Sequence, residues 1–296
     1  MQIFSMDTSS AASSCALLED DRPIAQFYTD ARLTHSQTIM PMAQALLECS
    51  HKSVQDIDLF AVSVGPGSFT GLRIGVAAVK GMAQVLQKPC VPVSALEGLA
   101  FNLYDRAGIL CAALDARCGQ VYAACFDADN QMARLTDDSA LMAEELCEQL
   151  SQLPAGRPIT VLGDGAQLVA DTMQWLCPQR KLAIPGKHLL LQHAYGVGLA
   201  ALHGIQSGRV QPILAEQLEP VYLKLPQAQR ELIAKQAKQA AQPQLDQLLE
   251  TEEGRAAKNK TFYLDQSVID AIHRTAKARG LTDSKLVNEI LKKLLL

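Results

Sequence analysis

The sequence predicts an α/β protein of two lobes followed by a small separate tail, and three observations carry this. The order strand–Asp–turn–strand–strand–helix–strand–Gly loop–helix occurs twice, near 1–105 and again near 106–210. Apolar residues make up 48 % of the 296 residues and charged residues 20 %, enough for real cores and against general disorder. The composition then breaks: 226–257 is a Gln/Ala/Lys/Glu stretch, and 258–296 carries eight Lys/Arg against four acids, about +4. Residues 1–257 hold nineteen basic and twenty-seven acidic residues, about −8. A basic tail on an acidic body points to two jobs, and nucleic acid is a natural partner for the tail.

Each element follows from its pattern. "QIFSMD", "AASSCALLED" and "PIAQFYTD" read as three strands of an antiparallel meander. From His35 to Ser50 the spacing is helical, with Ile39, Met42/Ala43 and Leu46 on one stripe; Pro41 should kink this helix or delay its start. "DLFAVSV" is a continuous apolar strand, Gly71 to Gln87 a helix, "CVPVS" a short strand and Ala95 to Tyr104 a helix. The pattern then restarts. "GILCAALDARCGQVYAACFDADNQMARL" gives three strands, "SALMAEELCEQL" a helix, "PITVLGDGAQLVADTMQWL" strand, turn and helix, and "LLLQHAYGVGLAALHGIQ" a last apolar helix. Residues 226–257 read as a solvated helix or linker that Pro243 interrupts.

In the tail a short strand, Thr261–Leu264, precedes a helix with Val268, Ile269, Ile272 and Ala276 inward. Gly280 ends that helix, and Thr282 caps a second with Leu286, Val287, Ile290 and Leu294 inward. About 38 residues cannot bury an adequate core alone, so the tail should dimerise.

Eight cysteines at 15, 49, 90, 111, 118, 125, 147 and 177 form no C-x-x-C pair and mostly sit in apolar runs, as buried reduced thiols do. This suits a reducing cytoplasm. The N-terminus lacks the basic and apolar regions of a signal peptide, and no run reaches the roughly 18 apolar residues of a membrane span.

The stretch "VGPGSFTGLRIG" resembles a phosphate loop, with Gly65, Pro66, Gly67, Ser68, Thr70 and Gly71 before a helix. It fails both standard fingerprints. Gly65 to Gly71 is one residue too long for the Walker spacing, and Leu72 stands where lysine is needed. For G-x-G-x-x-G, Thr70 replaces the third glycine. The strand–loop–helix layout still offers N–H groups to an anion. Asp7 and Asp115 each end a strand beside a turn. Such a pair can face Mg²⁺ and phosphates across a cleft, but the simpler reading is a turn aspartate that binds its own backbone. No two histidines among 35, 51, 188, 193, 203 and 273 are four apart, and no G-x-S-x-G occurs. No catalytic residue and no metal site is therefore assigned. The helix after the loop is apolar on both sides, with Arg73 and Lys80 as its only charges. Such a helix is either sandwiched in the core or covered by a partner.

"DTSSAASSCALL", "THSQTIMPMAQALL", "VGPGSFTGLRIGVAAVKGMA", "LDARCGQVYAACF", "GDGA" and "PVYLK" follow one another as in the TsaB (YeaZ-like) family, which residues 1–230 resemble. The resemblance implies an ASKHA (actin-like ATPase) fold of two lobes, 1–105 and 106–230, without catalysis of its own. It implies a scaffold that pairs with TsaD, the threonylcarbamoyl transferase, and with the ATPase TsaE, and that serves tRNA through their complex. Any ATP or ADP would lie at the interface with TsaD or TsaE. The implied partner surface is the helix pair 36–50 and 71–87, with His35, Ile39, Met42, Leu46, Leu72, Arg73, Ala77, Ala78 and Gly81 as candidates; the same face can pair two copies of the chain. The departure lies after 230. A linker, 231–257, leads to 258–296, which resembles a ribbon–helix–helix module of the Arc/CopG type. Two such modules pair their strands and place them in the DNA major groove, and Thr261 and Tyr263 would meet the bases. Two other readings stay open: a DNA-binding regulator acting through the tail, and a peptidase or kinase of the ASKHA superfamily.

Overall fold

A computed structural model describes residues 1–154, 156–224, 266–278, 282–287 and 290. The chain divides into two compact units, Met1–Arg230 and Glu231–Leu296.

In the first unit β1 (Gln2–Asp7), β2 (Ser13–Glu19) and β3 (Arg22–Thr29) form the expected antiparallel meander. β4 (Leu59–Gly65) and β5 (Cys90–Ser94) add to it in parallel, giving the order β3-β2-β1-β4-β5. The wholly buried β4 is covered on both faces, which is why its sequence is a continuous apolar run. β1 alternates instead: Phe4 and Met6 face one core and Ile3 the other.

Phe4 and Met6 lie under α1 (His35–Cys49) and α2 (Phe69–Leu86). α1 starts at His35 and runs through Pro41, so the proline does not delay its start. α2 begins two residues before the expected Gly71, because the Ser68 hydroxyl accepts from Gly71 N at 3.3 Å and caps it.

Ile3 lies under α3 (Ala95–Ala100) and α6 (Ala194–Gln206). Their far side packs on a second sheet, through Leu110, Ala112, Leu114 and Phe126. That sheet runs β10-β6-β7-β8, with β9 also on β7. Its strands are β6 (Ile109–Arg117), β7 (Gln120–Asp127), β8 (Ala133–Arg134), β9 (Ser139–Met142) and β10 (Ile159–Leu162). α4 (Ala143–Gln152) and α5 (Ala166–Leu176) cover its outer face. The layers are therefore α1/α2, sheet, α3/α6, sheet, α4/α5, the two-sheet α/β architecture expected.

Two elements differ from their sequence reading. Ser139–Met142 is not the start of a helix but a strand opposite Gln120–Ala123. The last apolar helix begins at Ala194, not in the preceding leucines. α6 is buried nearly all round, whereas α2 leaves one side exposed, so of its two readings the core sandwich does not hold.

In the second unit a helix spans Gln266–Ala278 and a short helical stretch covers 283–287, where Leu286 N donates to Thr282 O at 3.0 Å. Ala276 and Leu286 are buried, whereas Val268, Ile269 and Ile290, expected inward, are each 42 % exposed. The expected ribbon strand, with Thr261 and Tyr263, and the linker lie outside the described residues.

Candidate partner face and interlobe cleft

The glycine loop is built for close packing against the β1–β2 turn. The Ser68 amide donates to Ser9 O at 2.6 Å, and the Gly71 amide is taken by the Ser68 hydroxyl. A Cβ on Gly71 would sit 2.1 Å from Thr8 O, a contact no side chain tolerates. Gly65 has φ +137° and meets the carbonyl of Val221, whose amide donates to Val64 O at 2.7 Å. These amides are therefore taken internally, and the glycines bring three chain segments together. Pro66 is buried, while Ser68 and Thr70 are exposed at the rim.

Asp7 takes the simpler of its two readings. Its Oδ1 accepts the Ser9 amide at 2.8 Å and the Ser9 hydroxyl at 2.7 Å, and its Oδ2 accepts the Ser63 hydroxyl. Burial pushes its carboxyl above the usual range, and the three hydrogen bonds pull it partly back. Asp115 behaves alike: it accepts the Arg117 amide at 2.8 Å. Its own amide donates to Asp164 at 2.8 Å, and burial pushes Asp164 up as well.

A cleft of about 400 Å³ lies between the sheets, lined by Ser9, Ser68, Asp115, Arg117, Asp164, Tyr222 and Lys224 among others. The strap 213–224 passes its mouth. Lys80 Nζ donates to Glu216 O at 2.8 Å, and Arg73 Nε donates to the Tyr222 hydroxyl at 3.0 Å. Tyr222 packs against Phe69 with ring centroids 4.6 Å apart, and Lys224 Nζ reaches Ala116 O on the second sheet at 3.0 Å. Among the described residues no three His, Cys, Asp or Glu side chains gather where a metal could be held, and no helix is long and apolar enough to cross a membrane.

The helix pair divides the nine candidate partner residues. Ile39, Leu46 and Leu72 are a correction: all three lie in the lobe's own core and fix the helices rather than present a surface. His35 is half-buried, its Nε2 2.8 Å from Ser10 O, so it ties α1 to the β1–β2 turn. Met42 and Ala78 are half-buried, and Arg73, Ala77 and Gly81 are exposed on one side of α2. The exposed stripe also includes Val85, 84 % exposed, and α1 adds Met40 at 46 %. Met40 sits outside the buried stripe of α1, and Asp164 acts on a residue 49 positions away, so the sequence pattern marks neither.

A family model described as "TsaD: tRNA N6-adenosine threonylcarbamoyltransferase" matches residues 29–267. The tRNA threonylcarbamoyladenosine biosynthesis protein TsaB of Escherichia coli K12 is 34 % identical over 227 residues, 76 % of this chain and 95 % of that protein. The chain belongs to the TsaB family. YeaZ from Pseudomonas aeruginosa superposes with a TM-score of 0.63 at 32 % identity, over 75 % of this chain and 99 % of that one. Likeness to a transferase itself is shorter: the tRNA N6-adenosine threonylcarbamoyltransferase of Magnetococcus marinus is 37 % identical over 80 residues, 27 % of this chain and 23 % of that protein. Family membership thus covers the two-sheet unit and places the chain in tRNA threonylcarbamoyladenosine biosynthesis.

Proposed function

We propose that this chain is a scaffold subunit without its own catalysis in tRNA threonylcarbamoyladenosine biosynthesis, pairing with TsaD through the exposed side of α1 and α2 and with TsaE in the same complex. The observation that carries the reading is Gly81. It lies inside an 18-residue helix, is exposed, and a Cβ placed on it would meet nothing within 4 Å. Glycine there costs helix stability and gains nothing within the monomer. A glycine beside exposed Ala77 and Val85 is explained by a partner backbone that comes close. The carboxylates support the absence of catalysis, since Asp7, Asp115 and Asp164 each accept from nearby backbone amides or hydroxyls.

In this reading 1–105 and 106–230 are the two lobes, 231–257 a linker and 258–296 a second, dimerising module. The exposed Val268, Ile269 and Ile290 are the apolar area a second copy would cover. The full chain should restore threonylcarbamoyladenosine synthesis when added to TsaD, TsaE and the threonylcarbamoyl-AMP synthase, and deletion of 258–296 should leave that stimulation intact. No stimulation by the full chain overturns the scaffold reading. Loss on deleting the tail assigns the activity to the tail instead.

A further inference from the structure

Cys111 on β6 and Cys125 on β7 are directly opposite in the antiparallel register. The Cys125 amide donates to the Thr136 hydroxyl at 2.9 Å, and its carbonyl accepts from Leu135 N at 2.8 Å. Both of its backbone groups therefore point away from β6. That makes Cys111 and Cys125 a non-hydrogen-bonded pair, the type with Cα atoms about 4.5 Å apart, inside the range of about 4.4–6.8 Å that a disulfide spans. Both side chains face the core under α4 and α5, Cys111 fully buried and Cys125 nearly so. The end of β6, Asp115 to Arg117, lines the interlobe cleft.

We propose that Cys111 and Cys125 are a reversible oxidation site that closes to a cross-strand disulfide with hydrogen peroxide as oxidant. The thiolate of Cys125 attacks a peroxide oxygen; an S–O bond forms, the O–O bond breaks, and the leaving hydroxide takes a proton to become water. The Cys111 sulfur then attacks the sulfenic sulfur; the S–S bond forms, the S–O bond breaks, and a second water leaves. Two thiols lose two electrons and two protons, and one peroxide becomes two waters. The neighbouring Cys125 thiol and burial together push Cys111 up, so the first attack is assigned to Cys125. A water-sized oxidant suits a site covered by two helices. Cys147 lies nearby on α4, but its thiol already donates to Val169 O at 3.4 Å.

The test is peptide mapping of the full chain after treatment with hydrogen peroxide, under non-reducing conditions. The expected result is a linked peptide pair containing Cys111 and Cys125, about 2 Da lighter than the free thiols and reversed by dithiothreitol. A melting temperature several degrees higher should accompany it, since the bond closes a loop in the unfolded chain. The variants Cys111→Ala and Cys125→Ala should each lose both the link and the rise. Exposed Cys49 and Cys118 report that the oxidant has acted. If these two are oxidised while no Cys111–Cys125 link forms, or if Cys111 links to Cys147, the proposal is wrong. The wild-type map decides the question even where a variant fails to fold.

Discussion

Replacing Gly81 separates partner docking from folding. Inside an exposed helix, alanine is favoured over glycine by about 0.5–1 kcal/mol, because the unfolded chain has fewer states to lose. Space around Gly81 is open, so no clash offsets that gain. For a folded unit of this size, 1 kcal/mol moves the melting temperature by about 2–4 °C. Gly81→Ala should therefore raise the melting temperature of the chain by about 1–4 °C. Gly81→Arg should keep part of the gain, since arginine is a good helix former and its side chain can reach water. Against TsaD the sign reverses. A guanidinium forced into a close helix contact is desolvated without a partner, a cost of several kcal/mol, so binding should weaken more than about 100-fold. Calorimetric melting and a titration against TsaD read the two effects on the same preparations. If Gly81→Arg melts lower than the parent, the site is packed in the monomer. If it melts higher and still binds TsaD as the parent does, this side of α2 is not the docking face.

Other predictions rest on the core and the β1–β2 turn. Leu46→Ala, at a fully buried site between α1 and the sheet, should cost about 2–5 kcal/mol in denaturant unfolding; a cost under 1 kcal/mol would mean the site is not packed as described. Asp7→Asn should become more stable relative to the parent as pH rises. Burial raises the folded-state pKa of Asp7 above its unfolded value of about 3.9, so ionisation of the parent costs stability as pH rises from the unfolded through the folded pKa, and that loss persists above it. The asparagine carbonyl can keep both Ser9 bonds and its amide can donate to Ser63. Unfolding of both proteins from pH 4 to pH 8 gives the difference, and a parent that gains on the variant as pH rises contradicts the account.

Much of the fold is legible because strands buried on both faces, such as β4, are mostly apolar, and because the meander β1–β3 is punctuated by short polar turns. What sequence could not separate is burial from apolarity in small residues. Ala77 and Gly81 count as apolar yet are exposed, so the pattern alone leaves α2 either sandwiched or partner-covered, whereas α6 is the helix buried nearly all round. Ser139–Met142 reads as helix in sequence because its pairing with β7 is set by residues about twenty positions earlier. The turn roles of Asp7 and Asp115 were readable, since each bonds an amide two residues on. Asp164 was not, because its partner is distant in the chain. Of the nine partner residues, the helical pair itself was readable; which side of each helix faces water depended on the sheet beneath.

The α3/α6 layer has one more consequence. Its residues Leu99, Val197 and Leu202 touch an interior that belongs to both sheets at once. A clamshell enzyme opens by hinging two halves that each keep a private core. Here swinging the halves apart would wet these side chains, at about 1.5–3 kcal/mol apiece. The two sheets are thus joined at the back by one shared interior, and opening the cleft by a hinge there would carry that cost.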